Sequence, residues 1–366
     1  MKVMTVIGTR PEIIRLSLII PKLDQWTEHT LVHTGQNYEP ELDSLFFESM
    51  KIRRPDVILD VRSETLFGQI GKILEGAERC IDQVRPDACV ILGDTNSGLS
   101  AIVAEKKGVP VFHMEAGNRC YDPSVPEERN RKIIDHVSSW LLPYVENSRF
   151  NLLKEGIDGA RVFVTGNPIF EVLEHYQTQI HSSGILSRLG IEEGKFFLVT
   201  AHRAENVDVP ERLSGIVSAL NRLAEKYAYP LIWSLHPRTS SRMERLPLQL
   251  HPLIRLCTPF DLFDFVKLEQ TTFCVLTDSG TVQEECCLFH IPAVTIRDTT
   301  ERPETIECGS NVLAGCDPTR IVSAVALVAR SGFQWQVPSE YLDPHVSDKV
   351  MRLILGHSGR PGGWEA

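Results

Sequence analysis

Short apolar runs alternate with longer amphipathic stretches along most of this chain. The runs are four or five residues long and nearly continuous, as at residues 88–92, which is typical of strands buried on both faces of a parallel sheet. The stretches between them, as at residues 66–84, repeat their apolar positions every three or four residues and predict amphipathic helices. The pattern therefore predicts an α/β protein in which helices cover parallel sheets.

The predicted elements fall into two sets. Strands are predicted at residues 3–7, 30–33, 88–92, 109–113, 161–165, 196–200, 231–235, 273–277 and 293–296. Helices are predicted at residues 12–23, 66–84, 130–140, 211–227, 282–288 and 318–329. The alternation restarts after Gly166-Asn167-Pro168 and a polar stretch at 175–194. We therefore predict two domains, 1–168 and 169–342, with a C-terminal helix in 343–366 that returns to the first domain.

The composition indicates an ordinary soluble protein and argues against several other classes. Of 366 residues, 42% are apolar and 23% are charged, as in ordinary soluble proteins. The net charge of −10 argues against binding to nucleic acid or to an anionic membrane. No apolar run approaches the length of a membrane span. Nine cysteines without zinc or disulfide spacing favour reduced thiols and a cytoplasmic location.

Two predicted strand-to-helix turns have the composition of phosphate sites. Gly8-Thr9-Arg10-Pro11-Glu12 follows the first strand, and Arg10 and Arg15 add positive charge near the start of its helix. Helix N-termini carry free N–H groups and partial positive charge, which suit phosphate. Because Thr9 and Glu12 also have capping-box spacing, a well-capped helix without a ligand is the alternative.

The second turn is Asp278-Ser279-Gly280-Thr281, with Glu285 one turn further on. Its small residues would let backbone N–H groups approach a diphosphate, and the carboxylate could accept hydrogen bonds from a ribose. A capping box of Thr281 and Glu284 is the alternative. The chain has no Walker or dinucleotide-binding glycine motif, so ATP and NAD are not supported.

Acidic residues and histidines follow several predicted strands. Asp94 and Glu115 stand at strand ends before small residues, which favours a functional role over a structural one. Glu127 and His202 complete a candidate acid–base set, whereas Glu128 and Arg129 are interpreted as surface ion pairs. The histidines lack the i,i+4 spacing of a helical zinc site, so no metal is predicted.

The segments that carry these residues resemble one family. They are Gly8–Glu12, His33–Asn37, Gly93–Thr95, Glu115–Gly117, Pro126–Arg131, Thr200–Asn206, His236-Pro237, Thr277–Glu285 and Thr299–Glu304. Together they span the whole chain and resemble the non-hydrolysing UDP-N-acetylglucosamine 2-epimerases. The resemblance implies two Rossmann-like domains facing a cleft, the glycosyltransferase-B type of fold.

The resemblance also implies roles for individual residues. Asp94, Glu115 and Glu127 correspond to catalytic carboxylates, and His202 joins the catalytic set while also contacting UDP. Arg15, which stands where many members have Lys, keeps a positive charge near the phosphates. The implied UDP ligands and their supports are Arg10, Arg131, His236, Phe265 (against uracil), Ser279, Gly280, Thr281, Glu285 and Arg302. No cofactor is implied.

The implied reaction inverts C2 of UDP-N-acetylglucosamine to give UDP-N-acetylmannosamine, by elimination of UDP to a glycal and its re-addition. The segment between Glu115 and Glu127 is shorter than in the plain enzymes and closer to a branch that epimerises modified UDP-sugars, such as the 6-deoxy-talose precursor of N-acetylfucosamine. A UDP-sugar glycosyltransferase of the same fold, a hydrolysing epimerase and a sugar-nucleotide sensor remain as alternatives. The family implies a homodimer that serves polysaccharide biosynthesis.

Overall fold

The chain forms two compact units, which are described separately. The structure, a computed structural model, describes residues 1–36, 46–332 and 334–357. The first unit comprises Met1–Glu174 and the C-terminal segment from Ser339, and the second comprises His175–Pro338. Asn37 in the His33–Asn37 motif and residues 358–366 of the predicted C-terminal helix lie outside the described residues.

Each unit is built on a six-stranded sheet in which every neighbouring pair is parallel. The strands are β1 Lys2–Ile7, β2 Glu28–His33, β3 Val57–Ile58, β4 Ala88–Leu92, β5 Val111–Met114, β6 Trp140–Leu142, β7 Phe197–Thr200, β8 Leu231–Ser234, β9 Ile254–Cys257, β10 Cys274–Thr277, β11 Ala293–Thr295 and β12 Asn311–Leu313. The order is β3-β2-β1-β4-β5-β6 in the first unit and β9-β8-β7-β10-β11-β12 in the second. Both are the 3-2-1-4-5-6 order of the Rossmann fold.

Helices connect the strands in both units. They are α1 Arg10–Leu16, α2 Ile19–Trp26, α3 Leu66–Val84, α4 Ser100–Lys106, α5 Pro126–Val137, α6 Glu146–Lys154, α7 Pro168–His175, α8 Gln177–Ser182, α9 Ile185–Leu189, α10 Ala204–Val207, α11 Pro210–Tyr227, α12 Pro237–Met243, α13 Leu262–Thr271, α14 Gly280–Phe289, α15 Pro303–Glu307, α16 Pro318–Ser331 and α17 Val346–Gly356. The single helix predicted at 12–23 is wrong, since α1 and α2 are separate. Pro21 lacks the N–H that a continuous helix would need to bond the carbonyl of Ser17.

The differences between predicted and observed strands lie at the sheet edges. The strand predicted at 161–165 is wrong: Val162 makes an isolated bridge to Leu141, and the N–H groups of Phe163 and Thr165 donate to the Leu141 and Pro143 carbonyls, but no continuous strand forms. The edge strands β3, β6, β9 and β12 were not predicted. They have two to four residues and, apart from the buried β6, are partly exposed, so they lack the continuous apolar run that identified the inner strands.

The inner strands carry the apolar cores. In the second unit, Phe197 and Val199 of β7 and Trp233 of β8 pack against Leu213 and Leu220 of α11. In the first unit, Met4 and Ile91 pack with Cys80 and Ile81 of α3. Within the described residues, no helix is long and apolar enough to cross a membrane. The cores hold the strands rigidly, so residues at the strand ends have fixed positions.

Candidate active site

In both sheets, some of the candidate residues lie at the carboxyl ends of the two central strands. The strand order reverses between β1 and β4 in the first unit, and between β7 and β10 in the second. Ligands of open α/β sheets bind outside the carboxyl ends of the strands at such a switch point. Arg10 and Asp94 follow β1 and β4, and His202 and Ser279 follow β7 and β10. Within each unit, the topology therefore explains why the residues that follow its two central strands lie at the same edge of the sheet.

Glu115 is held by a buried arginine. The Arg15 guanidinium Nη1 lies 2.6 Å from Glu115 Oε2, and the two side chains are 3% and 9% exposed. The Tyr144 hydroxyl donates to the same carboxylate at 3.4 Å, and Arg15 also lies 5.7 Å from the Tyr144 ring centroid. A buried ion pair is geometrically restrained and keeps its charges out of water. The Glu115 carboxylate is therefore fixed in place at the end of β5.

The backbone around Glu115 is unusual. Glu115 has φ +65°, a left-handed conformation that is uncommon for residues other than glycine. Gly117 has φ +80°, and a Cβ there would lie 2.2 Å from the Ser148 carbonyl oxygen. Side-chain bonds hold the turn: Asn118 Nδ2 donates to Glu115 Oε1 at 3.2 Å, and Asn151 Nδ2 donates to the Gly117 carbonyl at 3.0 Å. Such strain persists where surrounding contacts over-determine the backbone, and it clusters at functional sites.

Asp135 holds this turn through hydrogen bonds. Its fully buried carboxylate accepts from the Gly117 N–H at 3.1 Å, and it lies 2.8 Å from His113 Nδ1 and 2.7 Å from Arg119 Nη1. Burial raises the pKa of Asp135, but the hydrogen bond from His113 and the charges of His113 and Arg119 outweigh burial and hold the pKa below its ordinary value. The ionised carboxylate thus anchors the segment that carries Glu115.

Asp94 and Arg131 form a second ion pair. Arg131 Nη2 lies 2.6 Å from Asp94 Oδ2, with the arginine buried and the aspartate partly exposed. Arg131 Nη1 also lies 3.3 Å from Glu128 Oε2. The interpretation of Glu128 as a surface residue is wrong, because its buried carboxylate accepts from the Cys120 N–H at 3.0 Å. Glu127, the neighbouring residue in α5, is half-buried instead.

Glu12 links the two turns at the first switch point. It accepts from the Gly8 N–H, from the Thr9 N–H at 3.0 Å and from the Thr95 hydroxyl at 2.7 Å. Burial raises the pKa of this carboxyl to about 7. Because Glu12 joins the turn before α1 to the residue after Asp94, it fixes the distance between Arg10 and Asp94.

In the second unit, Asp278 orders the segment after β7. Its buried Oδ2 accepts from the backbone N–H of His202 at 2.9 Å and of Arg203 at 2.9 Å, and from Asn206 Nδ2 at 3.0 Å. His202 Nδ1 lies 3.3 Å from Asp278 Oδ1, and the His202 ring stands 5.6 Å from the His236 ring. One carboxylate therefore positions His202 beside the start of α14.

The N-terminus of α14 has an arginine beside it. Ser279 is the N-cap residue but makes no side-chain capping bond. The Arg302 guanidinium lies 3.8 Å from where a Cβ on Gly280 would be, and its Nε donates to Glu284. The alternative of a Thr281–Glu284 capping box is wrong, because the N-cap is Ser279 and Thr281 lies inside the helix. Arg302 and the helix start together supply positive potential suited to an anion.

One turn into α14, Glu285 is buried against a second carboxyl group. Glu269 of α13 is fully buried, and burial together with the charge of Glu285 and a hydrogen bond to it raises the pKa of Glu269 well above its ordinary value. A like charge nearby disfavours ionisation of a buried carboxyl group. Glu269 therefore resists ionisation beside Glu285.

Comparison with known proteins gives the family. The family model described as UDP-N-acetylglucosamine 2-epimerase matches residues 22–355. The chain belongs to the UDP-N-acetylglucosamine 2-epimerase family. The enzyme of that name from Methanocaldococcus jannaschii is 38% identical over 363 residues, which cover 97% of this chain and 99% of the relative. A UDP-2,3-diacetamido-2,3-dideoxy-D-glucuronate 2-epimerase from Pseudomonas aeruginosa is 37% identical over 330 residues, 88% of this chain and 91% of the relative.

Solved structures of the family agree with the fold. A crystal structure of the M. jannaschii UDP-GlcNAc 2-epimerase in complex with UDP-GlcNAc and UDP superposes with a TM-score of 0.92 at 36% identity, over 97% of this chain and 100% of that chain. The predicted family, the α/β fold of glycosyltransferase-B type and the isomerase class are confirmed.

The structure brings several of the predicted site residues of this family member together and leaves others apart. Asp94 meets Arg131, Glu115 meets Arg15, and the His202 ring faces that of His236. Thr281 and Glu285 share α14 with Gly280, and Phe265 lies on α13, where it packs against an apolar cluster. Arg10, at the first position of α1, is half-buried, as is Glu127 in α5. The roles of these residues remain predictions.

Sequence reasoning missed the buried residues behind the site. Asp135, Glu269 and Glu284 each fix a candidate residue, and their partners are 16 to 22 residues away in the chain. At such separations no helical or strand periodicity relates the two members of a pair. Asp278 is different, because it directly follows β10 and repeats the placement of Asp94 after β4 apart from one intervening glycine. The position of Asp278 directly after a predicted strand could therefore have identified it from the sequence.

Proposed function

We propose that this protein is an epimerase that interconverts UDP-N-acetylglucosamine and UDP-N-acetylmannosamine. The observation that carries the proposal is the pair of arginine-held carboxylates, Glu115 and Asp94, at the carboxyl edge of a Rossmann-type sheet. Membership of the family supports the same reaction. C2 of the sugar has no adjacent carbonyl, so its proton becomes acidic only when the anomeric C–O bond breaks and positive charge develops at C1.

In the proposed reaction, the carboxylates stabilise that positive charge and move the C2 proton. Asp94, Glu115 and Glu127 are the candidates: Asp94 and Glu115 follow strands of the first sheet, Glu127 lies in the first turn of α5, and none is more than half exposed. General acid–base groups of this kind typically contribute about 10²–10⁴-fold to the rate. Departure of UDP with loss of the C2 proton leaves a glycal, and return of UDP with protonation of the opposite face inverts C2.

The nucleotide is proposed to bind through the second unit. The start of α14 and Arg302 suit the diphosphate, and Glu285 suits the ribose hydroxyls. His202 and His236 supply ring nitrogens near the same helix start, and Phe265 offers an aromatic face for the uracil. Arg10, Arg15 and Arg131 add the positive charge that departing UDP requires.

Deuterium exchange tests the reaction. The protein is incubated with UDP-N-acetylglucosamine in D2O, and the sugar is followed by NMR. Deuterium at C2 of a sugar that still carries UDP is the expected result. Free UDP with free N-acetylmannosamine would show a hydrolysing epimerase instead. No exchange, with UDP binding intact, would contradict this substrate.

The same assay decides between sugars. A relative that acts on a diacetamido-dideoxy-glucuronate is nearly as similar as the relatives named for UDP-N-acetylglucosamine. We expect UDP-N-acetylglucosamine to exchange at least tenfold faster than this sugar and than the 6-deoxy-talose sugar. The reverse ratio would assign the protein to the branch that acts on modified sugars.

We propose in addition that the enzyme is a cytoplasmic homodimer that supplies precursors for polysaccharides. The family supports this assignment, and nine free cysteines suit a reducing compartment. Light scattering on the eluting protein measures the mass directly. A mass near the 41.2 kDa of one chain would contradict the dimer.

A further inference from the structure

Two cysteines of the second unit lie side by side away from the start of α14. Cys287, near the end of α14, and Cys308, which follows α15, have their sulfur atoms 3.7 Å apart. Cys287 comes seven residues after Gly280, so it lies about 10 Å along the helix from the proposed diphosphate site. No step of the proposed reaction uses either thiol.

The two thiols differ in exposure. Cys287 is fully buried, whereas Cys308 is partly exposed. The Trp335 indole N–H donates to the Cys287 carbonyl at 3.0 Å and holds that end of α14. A small oxidant can therefore reach Cys308 before it reaches the buried Cys287.

Three polar groups lie close to the Cys308 sulfur. Either thiol can be the donor in its 3.7 Å contact with the Cys287 sulfur, and the Thr305 carbonyl and the Ser310 hydroxyl lie 3.5 and 3.4 Å away. A hydrogen bond donated by Cys287 lowers the pKa of Cys308, against the opposing effect of burial. The same hydrogen bond raises the pKa of Cys287. The thiolate is the form that reacts with oxidants.

From this geometry we propose that Cys308 and Cys287 form a peroxide-reactive dithiol site, which closes to a reversible disulfide. The sulfur atoms must approach from 3.7 Å to about 2.05 Å, a movement within reach of a loop residue such as Cys308. The oxidant is a hydroperoxide, for which hydrogen peroxide is the probe.

The chemistry balances in two steps. The Cys308 thiolate attacks one peroxide oxygen, the O–O bond breaks, and hydroxide leaves with the proton lost by Cys308 as the first water. Cys308 is now a sulfenic acid. The Cys287 sulfur attacks the Cys308 sulfur, the S–O bond breaks, and hydroxide leaves with the Cys287 proton as the second water. The two thiols lose two electrons, and the peroxide gains them.

Cys257 provides a matched control. It is also partly exposed in the second unit, but burial raises the pKa of its thiol. At neutral pH the larger thiolate fraction of Cys308, partly offset by the lower nucleophilicity of a low-pKa thiol, predicts a rate about tenfold higher than that of Cys257.

The test is peroxide titration of the reduced full-length protein, followed by alkylation and peptide mass mapping. We expect a Cys287–Cys308 disulfide that dithiothreitol reverses. The Cys287→Ser variant should instead accumulate a sulfenic acid at Cys308 that dimedone traps, and Cys308→Ser should leave Cys287 reduced. Cys257→Ser should behave as the wild type.

Two results would overturn the proposal: no Cys287–Cys308 disulfide in the wild-type protein, or oxidation of Cys257 as fast as that of Cys308. Circular dichroism checks that each variant is folded. The readout is a mass, so it does not depend on whether the proposed epimerase reaction is correct.

Discussion

Replacing Asp278 by asparagine tests whether one buried carboxylate orders the segment that carries His202. Asp278 Oδ2 accepts three hydrogen bonds, from the N–H groups of His202 and Arg203 and from the Asn206 amide. Asparagine can place its oxygen at the same point, so the bonds persist but lose their charge. A bond to a charged group contributes about 1 kcal/mol more than a neutral one, so the local loss is about 3 kcal/mol.

Amide hydrogen exchange of residues 201–207 measures this loss directly. A decrease of about 3 kcal/mol in the free energy of local opening accelerates exchange about a hundredfold. The matched control is Asp298→Asn, which removes an exposed carboxylate paired with Arg212 and should change exchange by less than about threefold. If Asp278→Asn exchanges at nearly the wild-type rate in this segment, the carboxylate does not order it.

Three further outcomes are expected. Asp94→Asn and Glu127→Gln should lower turnover by about 10²-fold or more while UDP affinity, measured by calorimetry, stays within about threefold; wild-type turnover would refute their roles. Glu269 has a pKa raised above 4.5, so its ionisation destabilises the fold as pH rises. Glu269→Gln should therefore gain stability over the wild type as the pH rises above 4.5, and an equal pH dependence in urea unfolding would contradict the raised pKa. Asp135 has a pKa below 3.8, so it stabilises the fold above that pH, and its advantage over Asp135→Asn should shrink as the pH falls through and below 3.8.

The sequence predicted the inner part of each sheet well, because buried parallel strands have continuous apolar runs. Ala88–Leu92 and Leu66–Val84 were predicted to the residue. The edge strands were missed because two to four partly exposed residues carry almost no periodic signal. Strand order also could not be predicted, since pairing depends on contacts between residues far apart in the chain.

The candidate site, like the fold, could be predicted only in part. Asp94, Glu115 and His202 were identifiable because they come within two residues of the ends of strands that the sequence reveals. The orientation of these side chains could not be predicted, because it depends on contacts with Arg131, Arg15 and buried carboxylates that are distant in the sequence. Glu128 shows the limit: an acid in an exposed-looking run of charges is buried because the Cys120 N–H and Arg131 converge on it.

The left-handed backbone of Glu115 and its buried ion pair act on stability in opposite directions. Holding a side chain other than glycine at φ +65° costs about 1–2 kcal/mol, but glycine would also remove the carboxylate that pairs with buried Arg15, a loss of about 3–5 kcal/mol. Aspartate tolerates this backbone better, yet it is one methylene too short to keep the 2.6 Å contact with Arg15. A directed-evolution experiment that selects only for heat resistance should therefore keep glutamate here, unless Glu115 and Arg15 are replaced together.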